Sequence, residues 1–400
     1  MANRYRYIIV GGQLAGAHAA DGIRELDGDG SILLLGRENH PPYDRPPLSK
    51  ALWLGKKKLE DIFLHDQAYY ERQHIDVRLG ATVAAVDPGA KTVTDSHGAT
   101  FEFEKLLLAT GGRPRRLTVP GSDLPGVLHY RQLDDYMRAR HLAREGAAAL
   151  VIGGGFIGSE MAAALHANKV RVTMLFDAPY LVDRVFPEGL GRALQKDYVD
   201  RGITVHVNDT AEALEATGDR IRVRTRGGLD IAADLVVVGI GLVPETSLAE
   251  QAGLEVNNGI VVDEQLRTSH PDIYAAGDNA SFPYQALGRR MRIEHWDHAV
   301  NQGKHAGRNM AGAGQAYTYM PYFFSDLFEF GYEAVGQVDS RLDVFADWQE
   351  ENKAGVLYYR ENGLIRGVML CNVWGKVEAA RDLIRRGKKL TDEDLSGAIV

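Results

Sequence analysis

Cysteine is almost missing from this chain: its 400 residues include one, Cys371. A single thiol excludes an intramolecular disulfide and a Cys-x-x-Cys redox pair, so Cys371 reads as a small buried hydrophobe. Long apolar runs are absent too. No stretch approaches the roughly eighteen residues that span a bilayer, and Met1 to Val10 lack the basic region and apolar stretch of a signal peptide. A protein of the cytoplasm without a membrane partner is expected. Excess positive charge is the third absence. Lys and Arg number 46 against 54 Asp and Glu, a formal charge of −8, which argues against nucleic acid as the default partner.

Glycine, by contrast, is plentiful. Its 44 occurrences exceed the average usage of about 7% and point to tight turns or nucleotide loops. The length favours two or three domains over one core.

The apolar run Tyr5 to Val10 ends in Gly11-Gly12. A helical pattern, Leu14 to Leu26, and a second apolar run, Ser31 to Leu35, follow it. The same order returns at Ala147 to Ile152, Gly153 to Asn168 and Val170 to Phe176. The chain thus holds two copies of a β-α-β nucleotide-binding unit. Extended segments, Val77 to Val86 and Thr92 to Phe103, lie between the copies, followed by Leu106 to Gly111 and a Pro/Gly/Arg-rich crossover through Gly121. The second unit ends in Leu235 to Gly239. Strand and turn character returns at Gly259 to Asp278, as expected if the first domain is interrupted by the second. From about Tyr319 come short strands, Ala334 to Val338, Gly355 to Tyr359 and Leu364 to Leu370, then a helix from Lys376 to Arg386. The expected fold is α/β: two Rossmann-type, doubly wound domains plus a small C-terminal α+β domain. The expected boundaries are 1–117 with 240–318, then 118–239, then 319–400.

Gly153-Gly154-Gly155-Phe156-Ile157-Gly158 matches G-x-G-x-x-G between a strand and a helix. These glycines permit a tight turn, approach of the backbone to a pyrophosphate, and close helix packing, and the helix N-terminus favours negative charge. Asp177 stands one place past the usual acidic position for the adenosine ribose, with no Arg or Lys beside it to welcome a 2′-phosphate. NADH is therefore expected over NADPH.

The first copy, Gly11-Gly12-Gln13-Leu14-Ala15-Gly16, has glutamine where the middle glycine belongs. A Cβ there crowds a pyrophosphate. Two outcomes are open: the loop shifts and the amide donates a hydrogen bond, or the dinucleotide binds less tightly. Thr268 to Asp278 reads as a strand ending in an Ala-Gly-Asp turn, whose Asp278 can accept a ribityl hydroxyl or cap a helix.

Ala109-Thr110-Gly111, Ala276-Gly277-Asp278 and the two glycine loops together resemble the flavoprotein reductases with two dinucleotide-binding domains. Arg45-Pro46-Pro47-Leu48-Ser49-Lys50 and Glu294 to Ala299 are similar to the branch that contains ferredoxin, rubredoxin and putidaredoxin reductases and the apoptosis-inducing factors. Phe323-Phe324-Ser325-Asp326, Gly331 to Gly336 and the tail from Gly355 to Arg386 look most like the last of these.

The resemblance implies FAD at the first loop (Gly11, Gly12, Gln13, Leu14, Ala15, Gly16), Arg45, Lys50, Val83, Arg131, Gly277 and Asp278, with Glu294, His295 and Trp296 along the flavin. Arg37 and Glu38 stand where the family places acidic residues for the FAD ribose; Arg37 departs from that pattern, which favours Glu38. NAD(H) is implied at the second loop with Glu160, Asp177, Gly241, Glu333 and Asn372. Lys50 is implied to pair with Glu160 beside the flavin and to favour its anionic reduced form. Phe324 replaces a tryptophan of close relatives and stacks with less area and no N–H donor.

The implied reaction carries hydride from NADH to FAD and electrons on to a ferredoxin, a rubredoxin or a quinone. The alternative is a redox-responsive interaction protein that oxidises NADH slowly. Lys56-Lys57-Lys58 and Arg385 to Lys389 are basic enough to dock an acidic carrier, or are solvated faces. A homodimer is compatible with either reading.

Overall fold

The computed structural model describes residues 3–399 and forms two compact units. The first comprises the stretch ending at Asp44, Leu59–Arg113 and Val243–Pro321; the second comprises Arg45–Lys58, Pro114–Leu242 and the stretch from Tyr322 onward.

The first unit is organised on a seven-stranded sheet. Its parallel part runs Ile75–Arg78, Ile32–Leu35, Asn3–Val10, Thr100–Leu108 and Ile273–Ala275. Every residue of Ile32–Leu35 is buried, as expected of a parallel strand covered on both faces. Register aligns Val10 with Leu35 and Leu108, and Leu108 with Ala275. Gly11, Gly36, Ala109 and Ala276 therefore emerge together at the carboxyl edge of the sheet, where open α/β sheets bind ligands.

The helix Leu14–Arg24 packs against Trp296–Met310 at backbone contact. A Cβ on Gly303 would lie 2.2 Å from the Ala15 carbonyl oxygen, and one on Gly307 would lie 2.0 Å from that of Ala19. The expected extended run Val77 to Val86 is broken at Gly80, whose φ is +66°. Residues before the break belong to the parallel sheet, whereas Val83–Asp87 pairs antiparallel with Thr92–Asp95.

The second unit repeats the plan with a five-stranded parallel sheet: Thr204–His206, Arg171–Leu175, Ala148–Ile152, Leu235–Val238 and Val127–His129. Ile152 is level with Leu175 and Val238. The same unit holds a five-stranded antiparallel sheet ordered Tyr322–Leu327, Phe330–Gly336, Leu364–Cys371, Ala354–Glu361 and Asp343–Glu350. The helix Val377–Arg385 follows it, with Ala380, Leu383 and Ile384 buried. The architecture is the α/β one expected, two Rossmann-type sheets and a small C-terminal α+β part. The strand Asp343–Glu350 and the helix Glu188–Asp200 were not anticipated; the strand is half-buried through its middle and exposed at both ends, without the period-two alternation that marks a strand with one buried face.

Candidate functional site: two glycine loops and a buried ion pair

The two glycine loops have the same backbone. Gly11 and Gly153 open them with φ of +130° and +119°, and a Cβ on either would strike a carbonyl on the neighbouring strand segment, Ala109 at 2.1 Å and Gly239 at 2.3 Å. A Cβ on Gly16 would lie 1.9 Å from the Gly11 oxygen, and one on Gly158 the same distance from the Gly153 oxygen. Gln13 and Gly155 share the helix-entry position, at φ −128°, ψ −160° and φ −82°, ψ −165°. An L side chain adopts that conformation without strain, so the loop does not shift to admit the glutamine.

The end of each flanking strand differs. Glu38 follows Ile32–Leu35, and its Oε2 accepts the Tyr43 hydroxyl hydrogen at 2.6 Å; Arg37 is exposed. In the second unit Asp177 is exposed two places after Arg171–Leu175.

Elsewhere in the first unit, Gly277 donates its N–H to the Gln302 side-chain oxygen at 2.8 Å, which anchors the turn carrying Asp278. Arg292 donates to the Asp278 carbonyl at 2.9 Å and to Glu294 at 2.5 Å. The Trp296 indole N–H is held by Asp44 at 2.7 Å. His295 caps the start of the same helix and is half-buried, and Val83 opens the antiparallel strand of its sheet. On this helix His298 is fully buried, stacked on Phe282 at 4.9 Å and 3.3 Å from the Tyr317 hydroxyl. Burial pushes its pKa down to about 3, leaving a neutral imidazole.

In the second unit, Glu160 is the centre of a buried polar cluster. Its Oε1 accepts from the Lys50 ammonium at 2.5 Å and the Ser325 hydroxyl at 2.6 Å, while Oε2 accepts from the Ser49 hydroxyl at 2.5 Å. Three donors, one of them cationic, compensate the burial of the carboxylate. Lys50 is placed by the 3-10 turn Pro46–Ser49, whose Leu48 carbonyl receives both the Tyr130 hydroxyl at 2.5 Å and the Trp53 indole at 2.8 Å. The ammonium also lies 5.6 Å from the Phe324 ring centroid, a cation–π distance. Phe324 and Glu333 are directly opposite on adjacent strands, and burial raises the Glu333 pKa.

Arg45 donates to the Arg131 carbonyl at 2.8 Å, and Arg131 donates its own N–H to Asp135 at 3.0 Å. Gly241 has φ +103°. Asn372, also left-handed at φ +48°, spends its side chain on the backbone, accepting from Gly331 N–H and donating to the Lys353 carbonyl. Among the residues that sequence reasoning missed, Ser49 and Ser325 flank residues it had chosen, and only the tertiary packing turns their hydroxyls on Glu160.

Both loop helices suit an anionic dinucleotide. Neither Leu14–Arg24 nor Phe156–Ala167 has an acidic residue in its first turn or a side-chain cap, so the positive helix end faces no competing carboxylate. A Cβ on Gly155 would meet nothing within 4 Å, unlike those on its neighbours, so the cradle is open above this glycine.

Comparison with known proteins agrees. The description of the pyridine nucleotide-disulphide oxidoreductases matches residues 5–303. This chain belongs to that family. Members bind FAD and NAD(H), and the chain is a flavin- and nicotinamide-dependent oxidoreductase. Residues 306–354 match the C-terminal region of the mitochondrion-associated apoptosis-inducing factor.

The ferredoxin–NAD(+) reductase component of the anthranilate 1,2-dioxygenase system of Burkholderia cepacia is 38% identical, over 98% of this chain and 97% of that protein. Apoptosis-inducing factor 1 of Dictyostelium discoideum is 31% identical, over 98% of this chain and 80% of its own. Putidaredoxin reductase, solved in covalent complex with putidaredoxin, superposes with a TM-score of 0.90 at 30% identity, covering 98% of this chain and 95% of that one. The disulphide chemistry in the family's name has no counterpart here, because the lone Cys371 is fully buried and burial raises its thiol pKa. Among the described residues no helix is long and apolar enough to cross a membrane.

Proposed function

We propose that this oxidoreductase takes hydride from NADH and delivers electrons to a small ferredoxin- or rubredoxin-type protein. The single observation that carries the reading is the Lys50 ammonium held on the buried Glu160 carboxylate with its two serine hydroxyls, on a fold whose relatives include named ferredoxin and rubredoxin reductases. Bound FAD supplies the hydride acceptor and the means of passing electrons onward.

The chain's residues bind and orient. In the first unit, the loop from Gly11 to Gly16 receives the pyrophosphate, Glu38 the ribose, and Asp278, fixed through Gly277 and Gln302, the ribityl chain. Glu294, His295 and Trp296 line the flavin, with Val83 as a further FAD contact. In the second unit the loop from Gly153 to Gly158 receives NADH, Asp177 its ribose, and Gly241, Glu333 and Asn372 the nicotinamide side. Lys50 supplies a fixed positive charge that favours reduced flavin, and Glu160 keeps the ammonium in place. Phe324, under that ammonium, covers the ring region. No general base is required, since no proton is removed from carbon.

Anaerobic titration with NADH tests the reading. Rapid bleaching of the flavin absorption, followed by fast turnover with a ferredoxin or rubredoxin, is expected; turnover only with a quinone would move the acceptor. The match to the apoptosis-inducing-factor C-terminal region favours one second reading, a redox-responsive interaction protein. It predicts slow bleaching, a persistent long-wavelength band, and a changed size-exclusion elution volume with NADH.

A further inference from the structure

The glutamine in the first glycine loop is the chain's clearest departure from the dinucleotide fingerprint, and its surroundings fix which way its amide points. The segment Pro42 to Asp44 pairs antiparallel with Ile62 to Leu64. Asp44 N–H donates to the Ile62 carbonyl at 2.8 Å, Leu64 N–H donates to the Pro42 carbonyl at 2.9 Å, and Tyr43 is bridged to Phe63. Because successive N–H groups along an extended chain face opposite sides, Tyr43 N–H is turned away from that pairing. It meets Gln13, whose Oε1 accepts it at 3.4 Å.

A backbone N–H can only donate, so the amide oxygen must face Tyr43 and the NH2 group must face the other way. Among the described residues that NH2 has no partner. Tyr43 itself does not move easily. It is fully buried, and its hydroxyl is tied to Glu38 at 2.6 Å.

We propose that Gln13 is a cofactor-binding residue whose Nε2 donates a hydrogen bond to the FAD pyrophosphate, with Tyr43 as the positioning residue that orients it. The inference rests on the flavin reading of the first loop. Three further observations support it. The Gln13 backbone is in the same extended region as Gly155, so the side chain enters without distorting the loop. Gln13 caps no N–H of its own helix, and the first turn of that helix holds no carboxylate to compete for the amide. The glutamine thus replaces closer backbone approach with a neutral donor, held where the helix N-terminus already favours an anion.

The test is a fluorescence titration of FAD into apoprotein, comparing wild type with Gln13→Gly, Gln13→Met and Gln13→Glu. Gln13→Gly removes all crowding and the donor. Gln13→Met keeps the length and removes the donor. Gln13→Glu keeps the Tyr43 contact and turns a negative oxygen toward the pyrophosphate. The expected dissociation constants rise about tenfold for Gly and Met, and about a hundredfold or more for Glu. Tighter or unchanged binding by Gln13→Gly would overturn the proposal and leave the flavin reading intact, as would Gln13→Glu equal to wild type. Wild-type apoprotein that takes up no FAD would overturn both. Far-ultraviolet circular dichroism of each apoprotein confirms that the compared chains are folded.

Discussion

The two glycine loops are built on one backbone and finished differently. In both, the first and last glycines are demanded by neighbouring main chain, since added Cβ atoms would sit 1.9 to 2.3 Å from carbonyl oxygens. The middle position is under no such demand, and there the loops part: glutamine in the first, glycine in the second. Two residues beyond the last glycine the difference widens. His18 of the first helix is half-buried beside Asp21, whereas Glu160 of the second is buried under Lys50, Ser49 and Ser325. Backbone sterics therefore fix the same cradle in both loops, and the two differ in the side chains at its free positions.

The largest effect should come from breaking the shared part of each loop in turn. Gly16→Ala is expected to abolish flavin retention. Gly158→Ala should keep the flavin spectrum while flavin reduction by NADH slows by roughly a hundredfold or more; absorption spectra and anaerobic stopped-flow separate the two. If both variants lose flavin equally, the loops do not serve different nucleotides.

Next comes the divergent position. Glu160→Ala leaves a half-enclosed ammonium without its counter-charge, at a cost of about 3 kcal/mol in stability, and should slow flavin reduction by roughly a hundredfold. His18→Ala, its counterpart, should leave the reduction rate nearly unchanged. Urea unfolding and stopped-flow absorbance measure the pair.

Acid should weaken the first unit. His298 titrates near 6.5 when unfolded and about 3 when folded. The unfolded chain therefore binds the extra proton, and stability falls as pH drops below about 6.5, by up to ~1.4 kcal/mol per pH unit. Flavin fluorescence, which reports release from the first unit, should rise between pH 6 and 4, and His298→Asn should flatten that dependence.

The smallest effect concerns nucleotide choice. Asp177→Ala should raise the KM for NADH about three- to tenfold and narrow the preference over NADPH. Steady-state rates with both nucleotides check it, and an unchanged NADH/NADPH ratio would remove Asp177 from that role.

The sequence by itself determined the repeated plan. Apolar runs that stop at glycine, and glycines at fixed spacing, reflect local constraints of strand burial and turn geometry, so two Rossmann sheets and both cradles could be read from residue order. It also pointed to Lys50 and Glu160, through resemblance. What it could not decide were contacts between residues distant along the chain. Ser325 reaches Glu160 across 165 positions; Asp44 holds Trp296 across 252. The Gly80 break was hidden because alternating residues look alike on a parallel strand and an antiparallel arm. The question left open at Gln13, whether it crowds or donates, turns on the direction of one Tyr43 N–H. That direction is set by pairing with Ile62 to Leu64, a tertiary contact that neither segment specifies alone.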